Sequence, residues 1–188
     1  MHHVEKAAKR DKLDELLSDP DLERVIVFTR TKHGADKVVR NLKRSSVRAE
    51  AIHGNKTQGQ RQRSLESFRK GKIRVLVATD IASRGIDVDH VSHVINYELP
   101  NEPESYVHRI GRTARAGADG VAISLCSSDE RAYLRDIEKL IKRPLKAVGD
   151  VPVELVASKG GKPSRNGKPG GAPKRRRRRF RKPAQKAA

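Results

Sequence analysis

The sequence predicts an α/β domain with three layers, in which helices cover both faces of a mainly parallel sheet. Short apolar segments alternate along the chain with longer segments whose apolar residues recur at helical spacing. Segment 73–79 (IRVLVAT) lacks the polar alternation of a half-exposed strand, as expected for a strand buried on both faces. Helices that separate buried strands act as crossovers, and crossovers join parallel strands.

The first third of the chain supplies two helix–strand pairs. Residues 5–18 place leucines at helical spacing among charged residues, which predicts a helix, and the apolar run 24–29 predicts a buried strand. Residues 33–45 repeat the helical pattern, and 47–53 predicts the next strand.

The middle of the chain continues this alternation. Thr57 is a candidate N-cap and Gly71 a candidate C-cap, so we expect a helix over 57–71. Strands are predicted at 73–79 and 93–98. The polar segment ATDIASRGID therefore begins at the carboxyl end of a buried strand, the edge where ligands bind in parallel sheets.

The last part of the domain begins at Pro103, which favours the first turn of a helix. We expect this helix to carry the segment HRIGRTARAG (108–117). A strand is predicted at 121–127 and a helix at 128–143, where Ser127 and Glu130 have the spacing of a capping box.

The chain is strongly basic, and its charge is uneven. The formal net charge is +19, which indicates a polyanionic partner. Residues 159–188 contain thirteen lysines and arginines and no acidic residue, within a Gly- and Pro-rich sequence that cannot bury enough surface to fold. We therefore expect a folded domain over 1–150 and a disordered basic tail over 151–188.

Cysteine and histidine content limits the other classes of site. Cys126 is the only cysteine, which excludes an internal disulfide and a cysteine-based zinc site and fits a cytoplasmic location. His90 and His93 have no third ligand nearby in sequence, so we expect no metal. No apolar run approaches the length of a membrane span, so we expect no membrane association.

Three arginines stand at intervals of three in HRIGRTARAG: Arg109, Arg112 and Arg115. On one helix face they would repel each other unless an anion faces them. A guanidinium fork matches phosphate oxygens, and such arginines stabilise the charge that develops during phosphoryl transfer. The alternative is a solvated basic helix end that favours the helix dipole.

The rest of a nucleotide-hydrolysing site is missing from the sequence. No G-x-x-x-x-G-K-[ST] phosphate loop occurs, because each Gly-Lys pair is followed by Ile or Pro. Asp80 and Asp87 are the nearest acidic candidates, and neither is accompanied by a phosphate-loop lysine. We therefore expect that this chain alone does not hydrolyse ATP.

Several segments together resemble the C-terminal RecA-like domain of DEAD-box ATP-dependent RNA helicases. HRIGRTARAG is similar to motif VI of that family, VLVATDIASRGIDV (75–88) to motif V and VIVFTRT (25–31) to motif IV. HGNKTQGQRQRSLESFRKGK (53–72) resembles the block with a Gln-x-x-Arg motif, here Gln58 and Arg61. The resemblance covers about 4–145, and the basic tail is similar to that of bacterial RhlE-like members.

This resemblance implies a RecA-like fold and an ATP site, with Mg²⁺, that is shared with a missing N-terminal RecA-like domain. Arg112 and Arg115 match the motif VI arginines that reach ATP on that domain. Asp87 and Gly85 match motif V positions at the nucleotide. His108 and Arg109 match residues that hold motif VI and couple it to motif V. The family usually has Gly where Ala114 stands, which puts only the local backbone geometry in doubt.

The resemblance also implies contacts with the RNA backbone. The matching positions are Thr31, His53, Gly54, Arg61, Thr79, Asp80 and Arg84. The residues alone leave other interpretations open. Thr79 and Asp80 could cap a turn, Arg61 could be an exposed charge on a basic helix, and Asp87 could pair with Arg84.

The leading hypothesis is the C-terminal half of an ATP-dependent RNA helicase, preceded in its parent protein by the ATP-holding domain. A non-enzymatic RNA-binding or annealing module that acts through the basic tail is the alternative. A DNA translocase of the same superfamily is less favoured, because the histidine of HRIGRTARAG matches the DEAD-box form of motif VI.

Overall fold

The structure is a computed structural model that describes residues 1–83, 88, 91–114 and 120–149. The strands are β1 (His2–His3), β2 (Val25–Phe28), β3 (Ala49–Ile52), β4 (Val75–Ala78), β5 (His93–Asn96) and β6 (Val121–Cys126). The helices are α1 (Lys9–Ser18), α2 (Lys32–Arg44), α3 (Gln58–Arg69), α4 (Asp80–Ser83), α5 (Pro103–Ile110) and α6 (Arg131–Ile141). A 3₁₀ turn, Ser128–Glu130, leads into α6.

The six strands form one sheet in the order β1-β6-β5-β2-β4-β3, and every neighbouring pair is parallel. β2 lies at the centre, with Val25 opposite both Val75 of β4 and His93 of β5. The predicted α/β fold with a mainly parallel sheet is confirmed. Each of the five predicted strands is present, shortened by one to three residues.

Helices cover both faces of this sheet because the strand residues point alternately to either side. Val25 and Val27 pack in one cluster with residues of α1 and α2, whereas Ile26 and Phe28 pack with Phe68 of α3. A third cluster joins Tyr106 of α5 to α6 through Leu134 and Ile137 and to Cys126 of β6. The three-layer architecture follows from this alternation.

Two short elements were not predicted from sequence, because a few residues carry no measurable periodicity. α4 has four residues, and β1 has two. β1 pairs with β6 on one side, where His2 lies opposite Leu125. On its other side, the Met1 amino group donates to Lys146 O at 2.7 Å, and Val148 N donates to Met1 O at 2.8 Å.

Two predicted helices differ at their ends. The helix expected over 5–18 begins only at Lys9. The helix expected to carry HRIGRTARAG ends at Ile110, with Gly111 as its C-cap, so Arg112 does not continue the helical face of Arg109. That prediction was wrong because Gly111 ends the helix within the segment.

The predicted division into 1–150 and 151–188 and the predicted disorder of the tail concern residues outside the described part. They stay predictions.

Candidate nucleic-acid interface

The carboxyl ends of three adjacent strands bring most of the described candidate residues together. Thr29–Thr31 follow β2, His53 and Gly54 follow β3, and Thr79 and Asp80 follow β4. An open cleft of about 470 Å³ lies at this edge. Its lining residues are Arg30, Lys32, Gly54, Thr79, Asp80, Ile81, Pro100, Asn101, Glu102 and Ser105.

Arg109 is the anchor beneath this edge, and it is 1 % exposed. Its guanidinium holds the Asp80 carboxylate with two bonds, Nε–Oδ1 at 2.6 Å and Nη2–Oδ2 at 2.8 Å. Nη1 donates to Asn96 Oδ1 at 3.1 Å and to Glu98 O at 2.6 Å. The guanidinium carbon also lies 5.1 Å from the centre of the Phe28 ring, within the range of a cation–π contact. Arg109 thus ties α5 to the ends of β2, β4 and β5.

Contacts within the domain hold Asp80 and Thr79 in place. The Asp80 carboxylate is committed to Arg109, although its side chain remains 30 % exposed. Thr79 is buried, and its carbonyl accepts from Ala82 N and Ser83 N, which closes the turn of α4. The turn-capping interpretation therefore describes the Thr79 backbone.

His53 is 2 % exposed, and both of its ring nitrogens have a close polar neighbour. Nδ1 accepts from Asn55 N at 3.3 Å, and Nε2 lies 3.1 Å from Asp36 Oδ1. Lys56 Nζ reaches the same carboxylate oxygen at 3.2 Å. Burial alone would raise the pKa of Asp36, but the hydrogen bonds from His53 and Lys56 hold that pKa below its usual value.

Thr31, Gly54 and Arg61 complete the described candidates. The Thr31 hydroxyl caps α2 by accepting from Gly34 N at 3.0 Å. Gly54 is exposed, and an added Cβ there would meet no atom within 4 Å. Arg61 is half-buried, with Nη2 donating to Ala82 O at 3.3 Å, so it is not simply an exposed charge. Its Nε is buried without a hydrogen-bond partner among the described residues.

Arg112 begins the loop that follows α5, and it is half-buried. Its Nε donates to His108 O at 3.3 Å. The next residue, Thr113, is buried and donates its hydroxyl to the carbonyls of Val91 and Ser92, which fastens the loop to the start of β5. Ala114 has φ +55°, in the left-handed region that favours glycine. An added Cβ on Gly120 would lie 2.4 Å from Ala114 N, so Gly120 allows a close backbone approach.

A buried charge network near this edge was missed by sequence reasoning. Lys9 Nζ contacts the Glu130 carboxylate and donates to Tyr97 O at 2.8 Å and Leu125 O at 3.0 Å. Arg30 Nη2 lies 3.5 Å from Glu130 Oε1. Lys9 is in phase with Leu13 and Leu17 on α1, which was the signal that could have marked it as buried.

Four candidate residues lie outside the described part: Arg84, Gly85, Asp87 and Arg115, as does His90. His93 lies in β5, half-buried, with Nδ1 3.0 Å from Ser92 Oγ. Within the described ranges, no three or more His, Cys, Asp or Glu side chains are grouped to hold a metal ion. No helix in those ranges is long and apolar enough to cross a bilayer.

Comparison with known families identifies the domain. Residues 8–117 match the family "Helicase conserved C-terminal domain". The chain belongs to this family, and its relatives are DEAD-box ATP-dependent RNA helicases. The finer likeness to RhlE-like members stays a prediction.

The chain is 48 % identical over 147 residues to the ATP-dependent RNA helicase CshA of Listeria monocytogenes, which covers 77 % of this chain but only 28 % of that relative. The fold is similar to Escherichia coli SrmB bound to the regulator of ribonuclease activity A, with a TM-score of 0.74, 37 % identity and coverage of 82 % and 89 % of the two chains. It is also similar to Saccharomyces cerevisiae Dbp5 bound to RNA and ADP–BeF3, with a TM-score of 0.72, 34 % identity and coverage of 78 % and 39 %.

Proposed function

We propose that this helicase C-terminal domain is the half of an ATP-dependent RNA helicase that binds RNA and completes the ATP site. An N-terminal RecA-like domain of the same parent protein would hold ATP and Mg²⁺. This chain would bind the RNA backbone and supply arginines to the nucleotide. A cytoplasmic location is part of the same proposal.

The gathering of Thr31, Gly54 and Thr79 at one sheet edge carries the RNA half of the proposal. The cleft there offers Arg30 and Lys32 together with the exposed backbone of Gly54, which are the usual partners of phosphate oxygens. Arg61, half-buried beside α4, would add a further cation. Asp80 is negative and committed to Arg109, so we assign it the role of positioning Thr79.

Contacts of this kind carry no base information, so RNA binding at the cleft would tolerate any sequence and weaken with salt.

The nucleotide half rests on Arg112 and on residues outside the described part: Gly85, Asp87 and Arg115. Arg112 fits the role because it lies just past the end of α5 and is half-buried rather than fully enclosed. The bound nucleotide would supply the transferring phosphoryl group. Arg112 and Arg115 would hold a positive charge at that group while its negative charge develops.

The Arg109–Asp80 pair is the proposed coupling between the two halves of the site. It joins the helix that precedes Arg112 to the turn that carries Thr79. Because the pair is bidentate and buried on the Arg109 side, displacement of one segment would shift the other. RNA contact and arginine placement would therefore change together when the two domains close, which bends one strand of a short duplex and opens it.

The test combines this chain with an N-terminal RecA-like helicase domain and measures RNA-stimulated ATP hydrolysis. We expect Arg112→Ala to lower the rate by about 10³-fold or more, because the arginine would act on the developing charge. Arg135→Ala, an exposed arginine on α6, is the matched control and should leave the rate unchanged. RNA-stimulated hydrolysis that survives Arg112→Ala contradicts the arginine assignment.

A second candidate, a non-enzymatic RNA-binding or annealing module, is favoured by the charge of residues 159–188. Deleting these residues separates the two readings. If the remaining chain has no RNA-dependent effect on the N-terminal domain, the annealing module is the better description. If RNA-stimulated hydrolysis persists, the tail is an accessory that holds RNA near the domain.

A further inference from the structure

A groove runs along the outer edge of the sheet, away from the cleft just described. Its floor is β3, the edge strand, and its walls are α2 and α3. One part, of about 590 Å³, includes Asp36 and Lys56, which mark one end of the groove. A second part, of about 330 Å³, continues to Arg48 and Lys72 and shares Lys43 and Glu50 with the first. The two parts therefore form one continuous groove, here called the edge groove.

Both walls present a stripe of residues at helical spacing. α2 contributes Asp36, Val39, Arg40 and Lys43, and α3 contributes Gln60, Arg63, Ser64 and Ser67. Positions i, i+3, i+4 and i+7 lie on one helix face, so each helix turns a whole face toward the groove. The α3 stripe is entirely polar, although Ser64 is 8 % exposed. Hydroxyl and amide donors thus line the groove where apolar packing residues are usual.

The charges of the edge groove are unbalanced. Arg40, Lys43 and Arg63 are exposed, and none has an acidic partner within ion-pair distance in the described part of the chain. Asp36 already lies within ion-pair distance of His53 and Lys56, so Glu50 is the acid of the lining without an ion pair among the residues that the structure describes. Cations on two facing walls repel each other, and an anion between them would remove that cost.

We propose that the edge groove binds the phosphate backbone of single-stranded RNA that continues past the cleft. This inference rests on the proposed function, because the RNA must first occupy the cleft. The end of the groove at Asp36 and Lys56 supports this path of the RNA from the cleft. Lys56 follows Gly54 by two residues, and Lys32 in the cleft donates to Asn55 Oδ1 at 3.1 Å. A basic surface therefore leads from the cleft to Arg40, Arg63 and Lys43.

The lining favours RNA over an acidic protein. Protein partners anchor on aromatic or aliphatic pockets. The larger part of the groove has only Val39 and Ala51 as apolar lining residues, and Ile73 in the smaller part is 8 % exposed. The lining also lacks aromatic residues, so bases would not stack. Backbone contact through Arg, Lys, Ser and Gln is what remains, and it is sequence-tolerant.

The test compares oligouridines of about 4 and about 16 nucleotides, the range of single-stranded site sizes. The variant is the triple substitution Arg40→Gln, Lys43→Gln and Arg63→Gln in the full chain. The matched control is Arg135→Gln, Lys139→Gln and Arg143→Gln, three exposed cations on or just after α6. Fluorescence anisotropy at several salt concentrations gives affinity and its salt slope.

We expect the groove variant to bind the long RNA more weakly than the control does, with a log–log salt slope that is flatter by about 2, since three phosphate contacts are lost. Binding of the short RNA should match the control. Equal slopes for the two variants on the long RNA overturn the proposal. Loss of binding to polyglutamate instead, with RNA binding intact, also overturns it and identifies an acidic protein. Failure of Thr79→Val to weaken the short RNA would instead count against the cleft.

Discussion

At the scale of single residues, two arginines that are close together in sequence have different surroundings. Arg109 is buried and spends its donors on Asp80, Asn96 and Glu98 O within the domain. Arg112, three residues later, is half-buried past the helix end. The segment therefore contains one arginine whose contacts lie inside the fold and one that lies beyond the helix end. Proximity in sequence gave no hint of this division, because the partners of Arg109 come from distant segments.

Ala114, in the loop after α5, has a backbone conformation that lowers the stability of the fold. Its φ of +55° costs a non-glycine residue about 1–2 kcal/mol. Glycine avoids this cost but loses about 0.5–1 kcal/mol through the entropy of the unfolded chain. We expect Ala114→Gly to raise the free energy of unfolding by about 0.5–1 kcal/mol, measured by urea denaturation.

Ala132→Gly is the control for this substitution, because Ala132 is exposed inside α6. There the same change should lower stability by about 1 kcal/mol. Equal effects at the two positions would mean that the backbone of Ala114 is not strained.

At this scale, the sequence predicted which residues gather at the site better than it predicted how deeply each is buried. The edge that gathers Thr31, His53 and Thr79 could be predicted, because parallel strands share their carboxyl ends. The burial of His53 and the half-burial of Arg61 could not, because both depend on how α2, α3 and α4 pack on the sheet.

At the scale of elements, α1 is docked by a charge as well as by leucines. Lys9, 2 % exposed, joins α1 to the end of β6 and to the 3₁₀ turn through Leu125 O and Glu130. Glu130 also accepts from Leu99 N and Ser127 N. Removing one partner of such a pair leaves the other buried and uncompensated.

We therefore expect Lys9→Met to lower the free energy of unfolding by about 3–5 kcal/mol in denaturant titration. Lys12→Met on the same helix is the control, because Lys12 pairs with Glu15 at the surface and such pairs contribute at most about 1 kcal/mol. Similar losses in the two variants would show that the Lys9 network adds nothing beyond a surface pair.

The elements themselves were largely predictable. Apolar runs located all five longer strands. Cap chemistry located the N-cap Thr57 and the capping box of Ser127 with Glu130, whereas the pairing of Thr57 with Gln60 in a second box was not predicted. Gly71, predicted as the C-cap of α3, has φ +67° and lies one residue after the observed C-cap, Lys70. Boundaries failed where one signal was preferred over another, as at Gly111, and where an element was too short for a period, as at α4.

At the scale of the whole molecule, the chain has a net charge of +19. Its stability in acid therefore depends on how long its carboxylates stay ionised. The hydrogen bonds from Ser127 and Lys6 lower the pKa of Asp129 from 3.8 to about 2. A carboxylate whose pKa is lowered in the folded state stabilises that state above its unfolded pKa. The stabilisation is lost as the pH falls through the folded value.

Asp129→Asn should therefore be less stable than the parent chain at pH 5, and the difference should fade between pH 3.8 and about 2. Unfolding free energies measured across this range check the prediction. Asp136→Asn, an exposed carboxylate on α6 without an ion pair in the described ranges, is the control and should show no such fading. A constant difference for Asp129→Asn down to pH 2 would contradict it.

The pairing of β1 brings the two ends of the described domain together. Met1 is joined by hydrogen bonds to Lys146 and Val148, and β1 continues the sheet beside β6. The backbone of the domain thus comes close to forming a ring. Linking these ends with a few residues would close a very short loop at little entropic cost. An opening cut in a surface turn elsewhere would then yield a permuted chain with the same sheet.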